Sequence, residues 1–578
     1  MQGNIPLQTY NTIKSILLIL NFIIMKKIFM LITCCFMAIA VNAAELNIYA
    51  SGLKSGDVNS EKKVEIEYFL NAPATALAVN IMQGETIVKT IDLTDAALLT
   101  QGAHTTTLDL SEVSDGTYSW TMTATGATTE SAPVQVNDTE QPQFQFYHPR
   151  DVIVDNSYES PYFGRIYATM CWTSGSDGTT PHVQTQTKGI FILDPGLTDI
   201  TNQGNQGYSG GITWPVEGQG PKRIMVDAEG GVWVCDNGKD VSGIYIMDPA
   251  NPSADFKPVF ADGTRDEEGV KTVDGTAIHG KIAAFCLTGS GEDTKLYTMD
   301  NSLAVNGATL NILQYNVGSL DAPYALPYDA IAYDNSTGKY ANSNLAIVSD
   351  KTQGGFWVAQ SRWGFDAFPA FSHISSTGDM DFSSTAENFP AFSKNVSYRG
   401  AVAVNNDGSL LAAGSDGTVK FFDVSYDAEG VPALQFKSEW VIPTIGNNID
   451  GIAFDVADNL YVVSASSERM HIFALPKATN TITVPAPSTY KLEITPTGLN
   501  TNLLDAATVS VENNMLQVHA GQTTLTGYAI YSFDGRMLKS LKVNTQQLNV
   551  PIDNLAVGTY LIRLTSDDGV VTKKFIKR

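Results

Sequence analysis

The sequence predicts an all-β protein, and three observations carry that expectation. Apolar and polar residues alternate at a period of two, and no helical period is sustained through residues 45–137. Gly, Ser, Thr and Asn are plentiful while charged residues reach only 17%, below the usual figure of about 25%; that balance suits a chain with many turns. An apolar strand ending at Asp or Asn, a turn and a second apolar strand then recur six times.

The six copies are VIVD…RIYATM (152–170), IMVDAEGGVWVC (224–235), AIHGKIAAFC (277–286), IAYD…NLAIVS (331–349), VAVNNDGSLLAAG (402–414) and IAFDVADNLYVVS (452–464). Their strand ends fall at Asp155, Asp227, Gly280, Asp334, Asn405 and Asp455, spaced 72, 53, 54, 71 and 50 residues apart. Such periods mark arrays in which no single unit can bury its own apolar face. Units this long hold four strands each, the size of a blade. Residues 138–476 are therefore expected to close as a six-bladed β-propeller with those six strands innermost. The third copy is degenerate, with His279-Gly280 at its turn. VDAEGGVWV and FDVADNLYVV resemble the repeats of NHL-type and gluconolactonase-type propellers.

Two smaller β-domains flank the ring. In 44–137, VEIEYFL places Val64, Ile66, Tyr68 and Leu70 on one face, and YSWTMTA does the same for Tyr118, Trp120, Met122 and Ala124. Turns at Gln83-Gly84 and Asp115-Gly116 separate such strands, the pattern of a β-sandwich. The stretch with its late DGTYSWTMTA resembles the FlgD-type immunoglobulin-like module, which implies spacing or docking. Residues 477–489 (KATNTITVPAPST) lack periodicity and read as a linker. The last domain, 490–578, carries a sharper likeness. An Asp534-Gly535 hairpin, a Leu555-x-x-Gly558-x-Tyr560 strand start and a basic end from Lys574 to Lys577 follow in order. These residues resemble the type A C-terminal sorting domain of the type IX secretion system, a β-sandwich. The resemblance implies recognition by the secretion machinery, with Asp534, Gly535, Gly558, Tyr560, Lys574 and Lys577 in the signal.

The other end carries an export signal. Met25 opens a signal peptide (25–43) with a basic start at Lys26 and Lys27, an apolar run from Ile28 to Ala40, and a Val41-Asn42-Ala43 cleavage motif. Residues 1–24 read as an upstream extension of it. The apolar run is too short to span a bilayer, so no integral membrane segment is expected in the mature chain. Location at the outer-membrane surface or outside the cell, after periplasmic export, is expected. Beyond residue 44, 33 basic residues face 60 acidic ones. A net −27 surface repels phosphate backbones, which argues against nucleic-acid partners.

Candidate chemistry follows from the ring. Inner strands begin beside the axis, which makes Asp151, Arg223, Asp274, Asp329, Arg399 and Asp450 candidates for a polar ligand or metal at the channel mouth. Arg150 and Lys222 stand next to them. The competing expectation, and the favoured one, is that these charges pair with one another and close the channel. Gluconolactonase-type resemblance implies a divalent cation such as Ca2+ on carboxylates and Asn, but that family's full ligand set is not reproduced, and no other cofactor is indicated. Trp363, Phe365 and Phe368 belong to an aromatic-rich stretch from Phe356 to Tyr398, suited to stacking on sugars or peptide side chains, although some of its rings must be core. A second loop, Thr201–Gly211, is Gly/Asn/Gln-rich and is expected to rise on the same face. Its Gly207-Tyr208-Ser209-Gly210-Gly211 lacks the flanking strand and helix of a nucleophile elbow. The seven His show no zinc-site spacing, and Cys171, Cys235 and Cys286 read as buried thiols at equivalent places in a repeat. Together these features predict a non-catalytic propeller that binds an extracellular glycan or protein. A metal-dependent hydrolase or lyase of the lactonase type and a structural surface protein are the alternatives.

Overall fold

A computed structural model describes residues 45–578 except 129–131, 173–187, 205, 215–217, 306–309, 319–327, 334–344, 361–370, 385–400, 416, 444, 447, 496–502, 522, 534 and 567–568. The signal-peptide segment thus lies outside the described residues, among which no helix exceeds four residues. These residues form two compact units. The first holds 45–56, 65–108 and 118–492, and the second 57–64, 109–117 and 493–578.

Six antiparallel sheets of the first unit close into a ring. Their inner strands are Pro149–Val154, Ile224–Val226, Ile282–Thr288, Leu345–Ser349, Ala401–Val404 and Gly451–Phe454, each at the end of its sheet. Consecutive inner strands touch in that order, and the sixth touches the first. Every blade interface has its own apolar cluster. Ile190 and Val234 belong to the cluster between blades 1 and 2, Trp233 and Phe285 to that between 2 and 3, and Met299 and Val358 to that between 3 and 4. Trp357 and Phe422 join blades 4 and 5, Phe421 and Val462 join 5 and 6, and Tyr461 and Phe191 join 6 to 1. Because both faces of a blade meet a neighbour, strands such as Ile166–Met170 and Asn459–Ser464 are buried at every residue and read as unbroken apolar runs.

Two of the six expected inner strands are wrong. Thr276–His279 belongs to a small three-stranded sheet with Thr264–Arg265 and Lys271–Val273, and the inner strand of blade 3 is Ile282–Thr288. Tyr328–Tyr333, which includes IAY of the fourth copy, is the outermost strand of blade 3, and blade 4 begins at Leu345. Both are apolar strands followed by a turn, and that pattern does not say which edge of a sheet faces the axis.

An Asp or Asn follows five of the six inner strands, the exception being Gly289 in blade 3, and closes the turn to the next strand. Asp227 Oδ1 accepts the amides of Glu229 (3.1 Å) and Gly231 (2.7 Å) while its Oδ2 takes Trp233 Nε1 (2.7 Å). Asp455 Oδ1 accepts the amides of Ala457 and Asn459, both at 2.9 Å. This is Asx-turn chemistry. Ring closure uses the segment that precedes blade 1, since Val134–Gln135 is the outermost strand of blade 6.

The sandwich has sheets of Ala50–Ser55, Lys63–Leu70 and Gly102–Asp109, and of Gly116–Thr125, Ala76–Gln83 and Thr86–Asp92. The expected inward residues Val64, Ile66, Tyr68, Leu70, Tyr118, Trp120, Met122 and Ala124 are all buried. The expected linker differs: Thr481–Pro485 pairs with Gly116–Thr125, and Val484 is 1% exposed. A four-residue alternation, Thr-Ile-Thr-Val, is enough for an edge strand. The segment after the propeller therefore returns to complete the sandwich, whose buried Asn47 exchanges bonds with Asn459 of blade 6 (2.7 and 2.9 Å).

In the second unit, Thr508–Glu512, Met515–His519 and Gln547–Pro551 form one sheet. Met537–Thr545, Leu525–Ser532, Gly558–Ser566 and Gly569–Lys577 form the other. Leu516, Val518, Ile530, Ile562, Leu564 and Phe575 fill its core.

Candidate functional site

The ring encloses an axial cavity of about 670 Å³ lined by all six inner strands. Each of these is a sheet edge, and an edge carries a row of N–H and C=O groups without ladder partners. The wall therefore offers backbone hydrogen-bonding groups all round.

At the end where inner strands start, three candidates come together. Arg150 Nη1 donates to Asp450 Oδ1 at 2.8 Å, and Arg223 Nη1 lies 3.7 Å from Asp151 Oδ1 and donates to the Asp450 carbonyl at 2.7 Å. The backbone completes the knot: Ile224 N donates to Asp151 Oδ2 (3.2 Å), and Ala465 N to Asp450 Oδ2 (2.7 Å). Burial raises the Asp151 pKa to about 6 against the pull of Arg223, and burial beside Arg223 lowers that of Lys222 to about 8. The charges at this mouth satisfy one another. Asp274 is not among them; it sits with φ 50° at the exposed tip between Lys271–Val273 and Thr276–His279. Asp329 is also elsewhere, opposite Gln314 in the outermost strand of blade 3. Both were misplaced with the third and fourth copies. Arg399 lies outside the described residues.

The other end holds a cluster that sequence reasoning missed. Asp350 Oδ1 accepts the amides of Thr352 (2.8 Å) and Gln353 (3.2 Å), and Oδ2 accepts Tyr426 Oη (2.8 Å) and lies 3.2 Å from His373 Nε2. His373 Nδ1 lies 2.7 Å from Asp381. Burial opposes ionisation of Asp350, yet these contacts hold its pKa below the usual range. The next residue, Lys351, lines the cavity and is exposed. The signal for this end was the Asp or Asn that follows five of the six inner strands, hidden in copy 4 by its misplacement.

Among the described residues no three His, Cys, Asp or Glu side chains stand together. Trp363, Phe365 and Phe368 lie outside the described residues. Of the same stretch, Phe356 and Trp357 are core residues, 3% and 0% exposed. Thr201–Gly211 is tied to the edge of blade 1 at two points, since buried Thr201 bonds Ile192 and Tyr208 bridges Ile190, and Asn202, Gln203, Gly204 and Gln206 are exposed. Cys171, Cys235 and Cys286 are buried and free. Cys235 lies in the second strand of its blade and Cys171 just after the second strand, but Cys286 is on an inner strand.

In the C-terminal unit Gly535 takes φ 89° in the turn closed by Ser532 N and Arg536 O (2.9 Å); Asp534 lies outside the described residues. Gly558 opens a strand, and Tyr560 stacks on Phe575 and donates to the Ala556 carbonyl at 2.9 Å. The two lysines differ. Lys574 is exposed, whereas Lys577 is buried and its Nζ donates to the carbonyls of Ile552 (2.6 Å), Asp553 (3.0 Å) and Leu555 (2.6 Å).

Among solved structures, the chain is similar to a structural genomics protein of unknown function from Bacteroides thetaiotaomicron (10% identity over 75% of this chain and all of that one, TM-score 0.35). It is also similar to PorZ of Porphyromonas gingivalis, described as an essential bacterial surface component of the type-IX secretion system (13%, 89% and 69%, TM-score 0.28), and to the WD40 β-propeller domain of Doa1 (12%, 61% and 99%, TM-score 0.33). At these scores the fold assignment rests on the strand order above. No curated protein matches. Residues 505–578 match the family model of the secretion system C-terminal sorting domain, a start later than the expected 490. Tyr490 instead serves the first unit, where its carbonyl accepts Trp120 Nε1 at 2.9 Å. The chain is thus a β-propeller protein with a type IX secretion sorting tail, which directs it to the cell surface or beyond.

Proposed function

We propose that the propeller binds an extracellular ligand, a glycan or a protein, in its axial cavity, and does so without catalysis. The observation that carries this is the cavity itself. Its volume of about 670 Å³ is within the range of small-molecule sites, ~300–1,000 Å³, and its wall of free strand edges suits a polar guest. Arg150, Asp151, Arg223 and Asp450 pair with one another at one mouth, and we place the guest's entry at the end that carries Lys351 and Ser376. Trp363, Phe365 and Phe368 remain part of the proposal as stacking residues.

The test is retention of the purified chain on a printed array of glycans and surface proteins. Ser376 lines the cavity and is exposed, so Ser376→Trp narrows the mouth without entering the core. Binding that Ser376→Trp abolishes supports the proposal. Binding that it leaves unchanged places the ligand elsewhere and overturns it.

A further inference from the structure

Gly569–Lys577, the last strand of the four-stranded sheet in the C-terminal unit, pairs with a strand on one side only. Ser566 and Gly569 are ladder partners with only two residues between them, and such a pair exchanges both of its backbone bonds. The exchange alternates along an antiparallel ladder, and this one has no register shift. Val571, Lys573, Phe575 and Lys577 therefore bond to Gly558–Ser566, while Thr572, Lys574 and Ile576 turn their N–H and C=O groups to the free edge. Sheets commonly guard such edges with short strands, bulges or a cover. This edge strand has nine residues and no bulge, and it leaves Ile576 50% exposed.

Beside it lies a groove of about 660 Å³, lined by Val509 and Val511 of Thr508–Glu512, itself the edge of the other sheet, and by Lys574, Phe575, Ile576 and Arg578. No described acidic residue lines it; Glu512, next along from Val511, does not. A strand added along Gly569–Lys577 can bond to Thr572, Lys574 and Ile576 and lay alternate side chains over Val509, Val511 and Phe575. Opposite charges pair across neighbouring strands and like charges repel. Lys574 thus favours a strand with a carboxylate at the facing position, and a second copy of this lysine-rich strand is disfavoured. The match of 505–578 to a secretion sorting domain implies a partner in the export machinery. We propose that this partner reads the tail by strand addition: an extended, acidic segment of the export machinery pairs with the free edge of Gly569–Lys577 and packs over the groove.

The experiment follows the full chain in cells that carry a type IX secretion system, with the surface and periplasmic shares read by fractionation and external protease. Thr572 is exposed and its N–H faces the free edge, so Thr572→Pro deletes an edge donor and leaves the ladder to Gly558–Ser566 whole. Thr572→Ala removes the same side chain and keeps the donor. Thr572→Pro and Lys574→Glu should each cut the surface share at least tenfold, whereas Thr572→Ala and Lys574→Arg should match wild type. Melting temperatures of the purified full chains should be equal, which a merely structural role would not allow. Normal export of Thr572→Pro, or equal loss of export in Thr572→Ala, overturns strand addition. Normal export of Lys574→Glu overturns the acidic partner, and it decides the outcome if Thr572→Pro melts lower. A wild-type dimer that Thr572→Pro dissolves while exporting normally would assign the edge to a second copy and overturn the proposal.

Discussion

Lys577 shows how much a single side chain's direction changes its meaning. From the sequence, Lys574 and Lys577 are two members of one basic terminus. In the fold, strand alternation turns Lys574 outward and Lys577 inward, where its ammonium caps three carbonyls of the 552–555 turn. That turn leads directly into Gly558 and Tyr560. Lys577 is therefore a structural pin of the C-terminal unit, whereas Lys574 is exposed. Lys577→Met should destabilise the C-terminal unit by about 2–4 kcal/mol, because charged hydrogen bonds are lost and buried carbonyls are left unpaired. Lys574→Met should leave its thermal unfolding unchanged. Unfolding scans of the full chain separate the two, and equal effects would sink the distinction. Other residues were legible to different depths. Asp151, Arg223 and Asp450 lie together at one end of the ring, Arg223 beside Asp151 and Asp450 paired with Arg150. The Asp350–His373–Asp381 contacts were invisible, because they join separate strands and follow no motif.

Strands show the same division. Apolar runs marked two strands in each repeat copy, since burial on both faces leaves a clear apolar signature, and did not mark the outer strands of the blades. They could not rank strands within a blade. Thr276–His279 and Tyr328–Tyr333 look like inner strands but pair elsewhere, and the uneven spacing of 72, 53, 54, 71 and 50 was itself the sign of a slip. Measured on the true inner strands, from Val154 to Phe454, the spacing becomes 72, 62, 61, 55 and 50. The two pieces that close the architecture, Val134–Gln135 and Thr481–Pro485, are too short to carry a periodic signal. Their hold comes from side chains beside them. Asn137, 8% exposed, donates from Nδ2 to the Met470 carbonyl (3.0 Å) and accepts Ile472 N at Oδ1 (2.9 Å). Asn137→Ala removes both bonds where the ring closes. It should cost about 2–3 kcal/mol, seen as a lower melting temperature and faster proteolysis near residue 135. Unchanged melting would show that closure does not depend on this joint.

Across the whole molecule, burial of ionisable groups sets the response to pH. Burial is the leading cause that raises the pKa of Asp151, Asp155 and Asp236 to about 6 and of Asp455 to about 7. Their unfolded values lie near 3.9, so the folded state holds more protons than the unfolded state between about pH 4 and 7. Stability from these four is complete below pH 4 and is lost as pH rises through 6 to 7. Two histidines oppose them. Burial lowers His279 to about 3 and His471 to about 4; from an unfolded value near 6.5, each loses stability as pH falls below 6.5. The window contains four acids against two histidines, and the acids begin to gain at higher pH, so acidification wins between 7.5 and 5. Asp350 and Asp407, whose pKa values are lowered, lose their contribution only below that window. The full chain should therefore melt a few degrees higher at pH 5 than at pH 7.5 in the same salt. Replacing both histidines, as His279→Gln with His471→Gln, removes the opposing proton uptake and should widen that gap. A melting temperature that falls on acidification to pH 5 would mean that the buried carboxyls are ionised in the folded chain and that their hydrogen bonds outweigh the cost of burying charge.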